Sequence, residues 1–314
     1  MLLGFIFAII VSVLFAIYAV PRKFSSQNVL LYTMWMGVAY FVGTLLVIAV
    51  MWGFGFAEVE DMRSPWHWVT VARGLVWVFG MAAYNLAIDR IGLVRFNQWK
   101  NFQGPIGSLL LLFFLAEVVG IKALWLVLGM VVMFISAVLF TIKDDSDSKK
   151  KNTFQGVAFA LFAAVCFGVS ILLLKIVTDQ GFVFAQLFYH SLSLIIFSAI
   201  AYLIMGDGTS SQNAGQREKR PIKERLHNLI KVDKKTWLPF MAGGMFLVAT
   251  FLMILALGMI ASPIVWSITQ LNVVWTVLIG IIIFKEVDFK AYRVRITVGF
   301  LTAIVATVLL FFAR

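Results

Sequence analysis

Few side chains in this sequence are able to do chemistry, and several of them stand in costly places. Arg73 and Lys100 lie inside otherwise apolar runs, where an ionised group costs at least about 2.5–3.5 kcal/mol in hydrocarbon. Cations so placed face protein or a wet cavity. Beside Lys100, the residues Asn97, Asn101, Gly104 and Ser108 recur at i, i+4, i+7 and i+11, one stripe of a helix, with Lys100 and Gln103 flanking it. Amides on such a stripe offer donors and acceptors to the hydroxyls or carbonyls of a solute, or they bond a neighbouring helix. Trp266, Gln270 and Asn272, with Ser267 and Thr269 nearby, form a second polar group. His190 sits near the middle of an apolar run with Gln186 one turn away. Neutral imidazole takes a proton near physiological pH, so His190 is a candidate for proton coupling; a hydrogen-bonded packing histidine is the alternative. Trp77, Trp99 and Trp266 can stack on the apolar face of a ring, or simply pack.

Catalytic patterns are missing. The histidines are scattered, and no HExxH, GxSxG, phosphate loop or paired-carboxylate motif occurs. The one cysteine, Cys166, excludes an intramolecular disulfide or a cysteine-based zinc site. The expectation is a protein that is not an enzyme, with no metal and no cofactor.

The elements that must position these residues follow from composition. Of 314 residues, 62% are hydrophobic and 13% charged, about half the charged fraction of a soluble domain. Apolar runs repeatedly exceed 18 residues, the span of a hydrocarbon layer, and they lack period-two alternation. The sequence therefore predicts an all-α integral membrane protein with ten transmembrane helices, near 1–20, 29–52, 66–88, 92–116, 121–142, 154–177, 182–205, 237–257, 260–284 and 293–313. Residues 1–20 lack a basic start and a small-residue cleavage pattern, and so read as a span rather than a signal peptide. Pro105 and Pro263 are expected to bend or open spans four and nine.

Two polar stretches divide the chain. The linker 143–153 separates a first five-helix repeat (1–142) from a second (154–314), which carries a basic loop at 206–236. LLLLFFLAEVVG and LIGIIIFKEVDF close the fourth and ninth spans, setting Glu117 against Glu286 at an offset of 169. Gly4, Ala8, Ser12 and Ala16 match Gly156, Ala160, Ala164 and Gly168 at an offset of 152, and Lys23 matches Lys175. The 169 offset sets Gln270 against Asn101 and Trp266 against Asn97. An odd number of spans per repeat makes the copies inverted, an architecture suited to alternating access around a midplane site. The small-residue stripe permits close helix approach, inside one chain or between two in a homodimer.

Charge sets the orientation. Twenty of the 26 Lys and Arg residues follow spans one, three, five, seven and nine, counting Arg95, Arg293 and Arg295 at adjoining span ends. Short basic loops stay cytoplasmic, so both termini are expected outside the cell membrane. Within Arg217 to Lys235, Ile222, Leu226, Leu229 and Ile230 have helical spacing. They make either a surface helix on anionic lipid or a solvated loop. The pI near 9.8 is read as lipid-facing charge, with no nucleic-acid partner.

Ten helices in two five-helix repeats, each with an acidic residue closing its fourth helix, resemble the drug/metabolite transporter superfamily over nearly the whole chain. SITQLNVVWTVLIGIIIFKE (267–286) is similar to the ninth helix of the glucose/ribose uptake branch, and AVPRK (19–23) to the end of its first helix. The resemblance implies a permease for sugar uptake, driven by protons. Sugar uptake is the leading reading; Lys100 and the span-four amides depart from that branch, and the alternative is a transporter or exporter of an anionic or amino-acid-like metabolite. A structural membrane protein is the reading outside transport. Candidate substrate contacts are Arg73, Asn97, Lys100, Asn101, Gln103, Trp266, Gln270 and Asn272.

Overall fold

The computed structural model describes residues 2–55, 63–92, 96, 99–100, 102–115, 120–139, 150–205, 221–232, 236–285 and 289–312. Their regular structure is helical: α1 (Leu2–Ile17), α2 (Val20–Phe24), α3 (Val29–Gly53), α4 (His67–Ile91), α5 (Gln103–Leu115), α6 (Ile121–Leu139), α7 (Lys150–Thr178), α8 (Phe184–Met205), α9 (Ile222–Ile230), α10 (Trp237–Leu257), α11 (Ser262–Thr269), α12 (Asn272–Ile282) and α13 (Phe289–Phe312). Eight segments are long and apolar enough to cross a membrane, α1–α2 and α11–α12 each counting as one. Two further apolar helices, Gln103–Leu115 and Lys122–Ser136, are shorter. Phe113, Phe114, Ile204 and Val294 stand fully open on the outside of the bundle. In water that surface would be a liability; against lipid tails it is at home. This is a multi-pass membrane protein.

Local chemistry decides where the helices start and bend. Asn28 caps α3, its Oδ1 accepting from the Leu30 amide at 2.9 Å, and so satisfies an N-terminal donor that lipid could not. Pro21 opens α2 after a turn at Tyr18–Ala19, bending the first span. Pro263 lies in the first turn of α11 and Pro105 in the first turn of α5. First-turn amides need no helical acceptor, so Pro263 does not break the ninth span, whereas Pro105 follows a turn at Phe102 that interrupts span four after helical Trp99 and Lys100. The break in the ninth span falls instead at Gln270–Leu271, between α11 and α12. Span four also differs from the expected 92–116. Gly92, at φ 77°, ends α4, and the long helix starts only at Gln103.

The halves of the chain interleave. α4 lies along α7, α3 along α8, α6 along α13, and α5 against both α7 and α11. The small-residue stripe is used within the chain. A Cβ on Gly156 would meet Ile91 Cγ2 at 2.4 Å, and one on Gly168 would meet Ile106 Cγ2 at 2.7 Å. Gly4 sits in the same way against Met259 and Ile260. Removing side chains here lets backbones approach and gain dispersion contact, the attraction left between helices once both are in lipid. Glu117, Glu286, Asn97 and Asn101 lie outside the described residues.

Candidate functional site

A central cavity opens where α1, α4, α7, α10 and α11 converge with Lys100 and the start of α5. Arg73 and Lys100 both line it, with Gln103, Ser170, Thr250 and six aromatic side chains: Phe15, Tyr18, Trp77, Phe167, Phe246 and Trp266. Both cations are buried. Arg73 donates through Nε to Ser170 Oγ at 3.3 Å, and its Nη1 has no partner among the described residues. The Lys100 ammonium lies 5.8 Å from the centre of the Tyr84 ring, within cation–π range. Among the described residues no carboxylate lines the cavity. Two basic side chains in a poorly polarisable space, with no counter-charge among the described lining residues, create a strong field for an anion.

Gln103 marks one wall. Its Nε2 donates to Gln270 Oε1 at 3.1 Å, and its carbonyl accepts from Trp266 Nε1 at 2.9 Å. Gln270 Nε2 donates back to the Trp266 carbonyl at 2.9 Å, satisfying backbone near the break in the ninth span. Ser108 and Ser267 pair at 2.9 Å. So Gly104 and Ser108, members of the expected amide stripe, face α11, while the flanking Lys100 and Gln103 face the cavity. Gly107 leaves room for Trp266: a Cβ there would fall 2.2 Å from its Nε1.

The other candidates are distributed differently. Gln270 lines a second cavity of about 380 Å³ between α5, α6, α11 and α12, with Met130, Met133, Phe134 and Val274. Asn272 is buried at the start of α12 with neither amide atom partnered among the described residues, and it lines neither cavity. Asn97 and Asn101 cannot be placed, since they fall outside the described residues. His190 is fully buried behind the central cavity, edge-on to Trp77 at 5.9 Å between ring centres. Its Nδ1 is 3.5 Å from Tyr40 Oη. Trp99 stacks on Phe102 instead of lining the cavity. Residues passed over in the sequence are Tyr18, Phe167, Ser170, Phe246 and Thr250. Ser170 and Thr250 carry a usable signal, being hydroxyls within spans.

Two groups of contacts flank the cavity. At one, Arg22 Nη2 donates to Asp89 Oδ2 at 2.8 Å and Nη1 to the Gln27 carbonyl at 2.8 Å. Its guanidinium lies 5.4 Å from the centre of the Tyr32 ring. Tyr18 and Tyr84, ring centres 6.1 Å apart, separate this pair from the cavity. At the other end, His67 stacks on Tyr189 at 4.7 Å and packs against Phe182 at 4.9 Å. Gln186 Nε2 donates to the Leu174 carbonyl at 2.8 Å.

No family model matches the chain, and no curated protein matches its sequence. Among solved structures, the chain is similar to a crystal structure at a TM-score of 0.65 and 17% identity, covering 98% of this chain and 96% of that one. At such identity the likeness is one of fold, and it runs through the whole chain.

Proposed function

We propose that this protein is a secondary transporter whose central cavity carries a small organic anion with an apolar or aromatic body. One observation carries the reading: Arg73 and Lys100 line the same aromatic-walled cavity, and among the described residues no carboxylate lines it with them. An anion supplies the missing counter-charge, and the aromatic walls cover an apolar body. An amino acid would bring an ammonium group with no carboxylate among the described lining residues to receive it. A neutral sugar needs many acceptors, and the lining is mostly hydrocarbon. Sugar uptake is the second reading, favoured by the resemblance of residues 267–286. Within that stretch, however, Ser267 and Gln270 are engaged with Ser108 and Gln103.

Alternating access in two inverted five-helix halves belongs to the same proposal, as does membership of the drug/metabolite transporter superfamily. Its support is a repeated pattern of contacts. α1 packs on α10 as α7 packs on α4; α5 packs on α7 as α11 and α12 pack on α1. Gly4 against Ile260 has its counterpart in Gly156 against Ile91. In the proposed orientation the basic end is cytoplasmic and both termini are outside.

Thermal stabilisation of the purified protein by a panel of aromatic carboxylates, sugar phosphates, amino acids and neutral sugars tests the substrate class. Anions should stabilise the wild type. Lys100→Gln should weaken their binding roughly 10- to 150-fold, since a hydrogen bond to a charged group contributes about 1.5–3 kcal/mol. Stabilisation by neutral sugars alone, unchanged in Lys100→Gln, would overturn the anion reading.

A further inference from the structure

The basic connection between α8 and α10 contains α9, and nothing in the transport cycle accounts for its composition. Three faces can be distinguished. Arg225, 9% exposed, points into the protein. Its Nη1 donates to the Leu203 carbonyl at 2.8 Å and approaches the Ile204 carbonyl at 3.5 Å. These carbonyls belong to the last turn of α8, where four acceptors lack helical partners and the helix dipole favours a cation. Arg225 therefore fixes α9 at the level where a spanning helix leaves the hydrocarbon. The second face carries Ile222, Leu226 and Ile230 at i, i+4 and i+8, exposed by 65%, 49% and 75%. The third carries Lys223, Glu224 and His227, all exposed.

Large aliphatic side chains so open on a nine-residue helix have no reason to stay in water. The surface beside them is apolar too, since Ile204, Met205 and Trp237 at the adjoining span ends are exposed. Trp at a span end is typical of the headgroup level. Charge selects the leaflet: between Arg217 and Lys235 the sequence has eight basic and three acidic residues.

We propose that α9 is a membrane-surface helix, capped onto α8 by Arg225, that seats Ile222, Leu226 and Ile230 in the headgroup–acyl boundary of an anionic leaflet. Apolar burial and attraction of basic residues to anionic lipid act together in such helices. The inference rests only on the multi-pass architecture, so it stands or falls independently of the solute.

The full-length protein, with Cys166→Ser and a single fluorophore-labelled cysteine at Leu226→Cys or at His227→Cys, tests it after reconstitution. Vesicles are made of neutral phosphatidylcholine or of a mixture with phosphatidylglycerol. In the mixed vesicles the label at 226 should be quenched by brominated acyl chains and several-fold less by aqueous iodide than the label at 227. Lys223→Gln with Lys231→Gln should reduce the extra protection that anionic lipid confers. Equal iodide quenching at 226 and 227 in both lipids would overturn the proposal. So would protection at 226 that appears only on adding a soluble protein extract, which would assign this face to a protein partner. Protection indifferent to phosphatidylglycerol would overturn its anionic specificity.

Discussion

The two ends of the helix bundle around the central cavity are held by different chemistry. At the Arg22 end, an ion pair joins α2 to α4, with Asp89 19% exposed and Arg22 5%. At the opposite end, Lys175 pairs with Asp179, four residues on and just past the end of α7, with Asp179 42% exposed. Closure between helices there comes from stacked rings and an amide. Lys175 and Lys23 correspond in the two halves, yet the cross-helix pair is made by Arg22, one position earlier. An ion pair between helices exchanges its partners for water when the end opens, so the cost of opening is partly returned by solvation. Ring stacks have no such compensation. A cavity with these two ends should therefore open unequally, and replacing single residues measures how unequally.

The largest effect is expected for Asp89→Asn. The substitution leaves the Arg22 guanidinium buried beside Tyr32 with its counter-charge gone, which destabilises a protein by about 3–5 kcal/mol. Apparent melting temperature in detergent should fall sharply. A cysteine at Ser170, in a Cys166→Ser background, should react faster with an impermeant thiol reagent applied from the Arg22 side. The double change Arg22→Met with Asp89→Leu should recover most of the stability, because apolar replacement of both partners is often neutral. A double variant as unstable as Asp89→Asn would mean that the end is held by something other than charge pairing.

An intermediate effect is expected at the other end for His67→Ala. It removes the stack on Tyr189 and the edge contact with Phe182, each such pair contributing about 0.5–1.5 kcal/mol beyond area burial. His67→Phe should retain most of that, since the ring contact is kept. The expected signature is loss of melting temperature in Ala, little in Phe, and insensitivity of both to added salt. If His67→Phe is as unstable as Ala, the imidazole nitrogens carry the closure rather than the ring face.

How legible these features were in sequence depends on what each residue costs in lipid. Long apolar runs with clear ends read well. The expected 237–257 is α10 (Trp237–Leu257), and 29–52 is close to α3 (Val29–Gly53). Arg73, Lys100, Gln103 and Trp266 were singled out as polar or amphipathic residues within spans, and they surround one cavity. Phe15, Phe167 and Phe246 were not distinguishable, because an aromatic side chain is at ease in hydrocarbon and 15% of the chain is aromatic. Interruptions were the harder failure. Helical periodicity carried through residues 260–284 assigns Gln270 and Asn272 to the cavity that Trp266 lines. The break at Gln270–Leu271 resets the phase for Asn272, while Gln270 keeps helical register with Trp266 but is drawn to Gln103 and the second cavity. Pro263 misleads for a related reason: it begins a helix, where a missing amide costs nothing.

The smallest effect is expected for Asp179→Asn. Geometrically it breaks the counterpart of the Arg22–Asp89 contact, an ion pair between the same residue classes at the opposite end. Physically the two have little in common. Asp179 is well exposed, its partner is four residues back in the last turn of α7, and the pair bridges no helices. Exposed i,i+4 pairs contribute about 0.3–0.5 kcal/mol and are screened by salt. Asp179→Asn should therefore leave the melting temperature nearly unchanged, and even that difference should vanish at high ionic strength. The reactivity of a cysteine at Ser170 toward reagent from the Asp179 side should not rise. If Asp179→Asn opens its end as Asp89→Asn opens the other, then charge governs both mouths and the two ends are alike. If it is silent while His67→Ala is not, the two ends open against different forces, one electrostatic and one of packing.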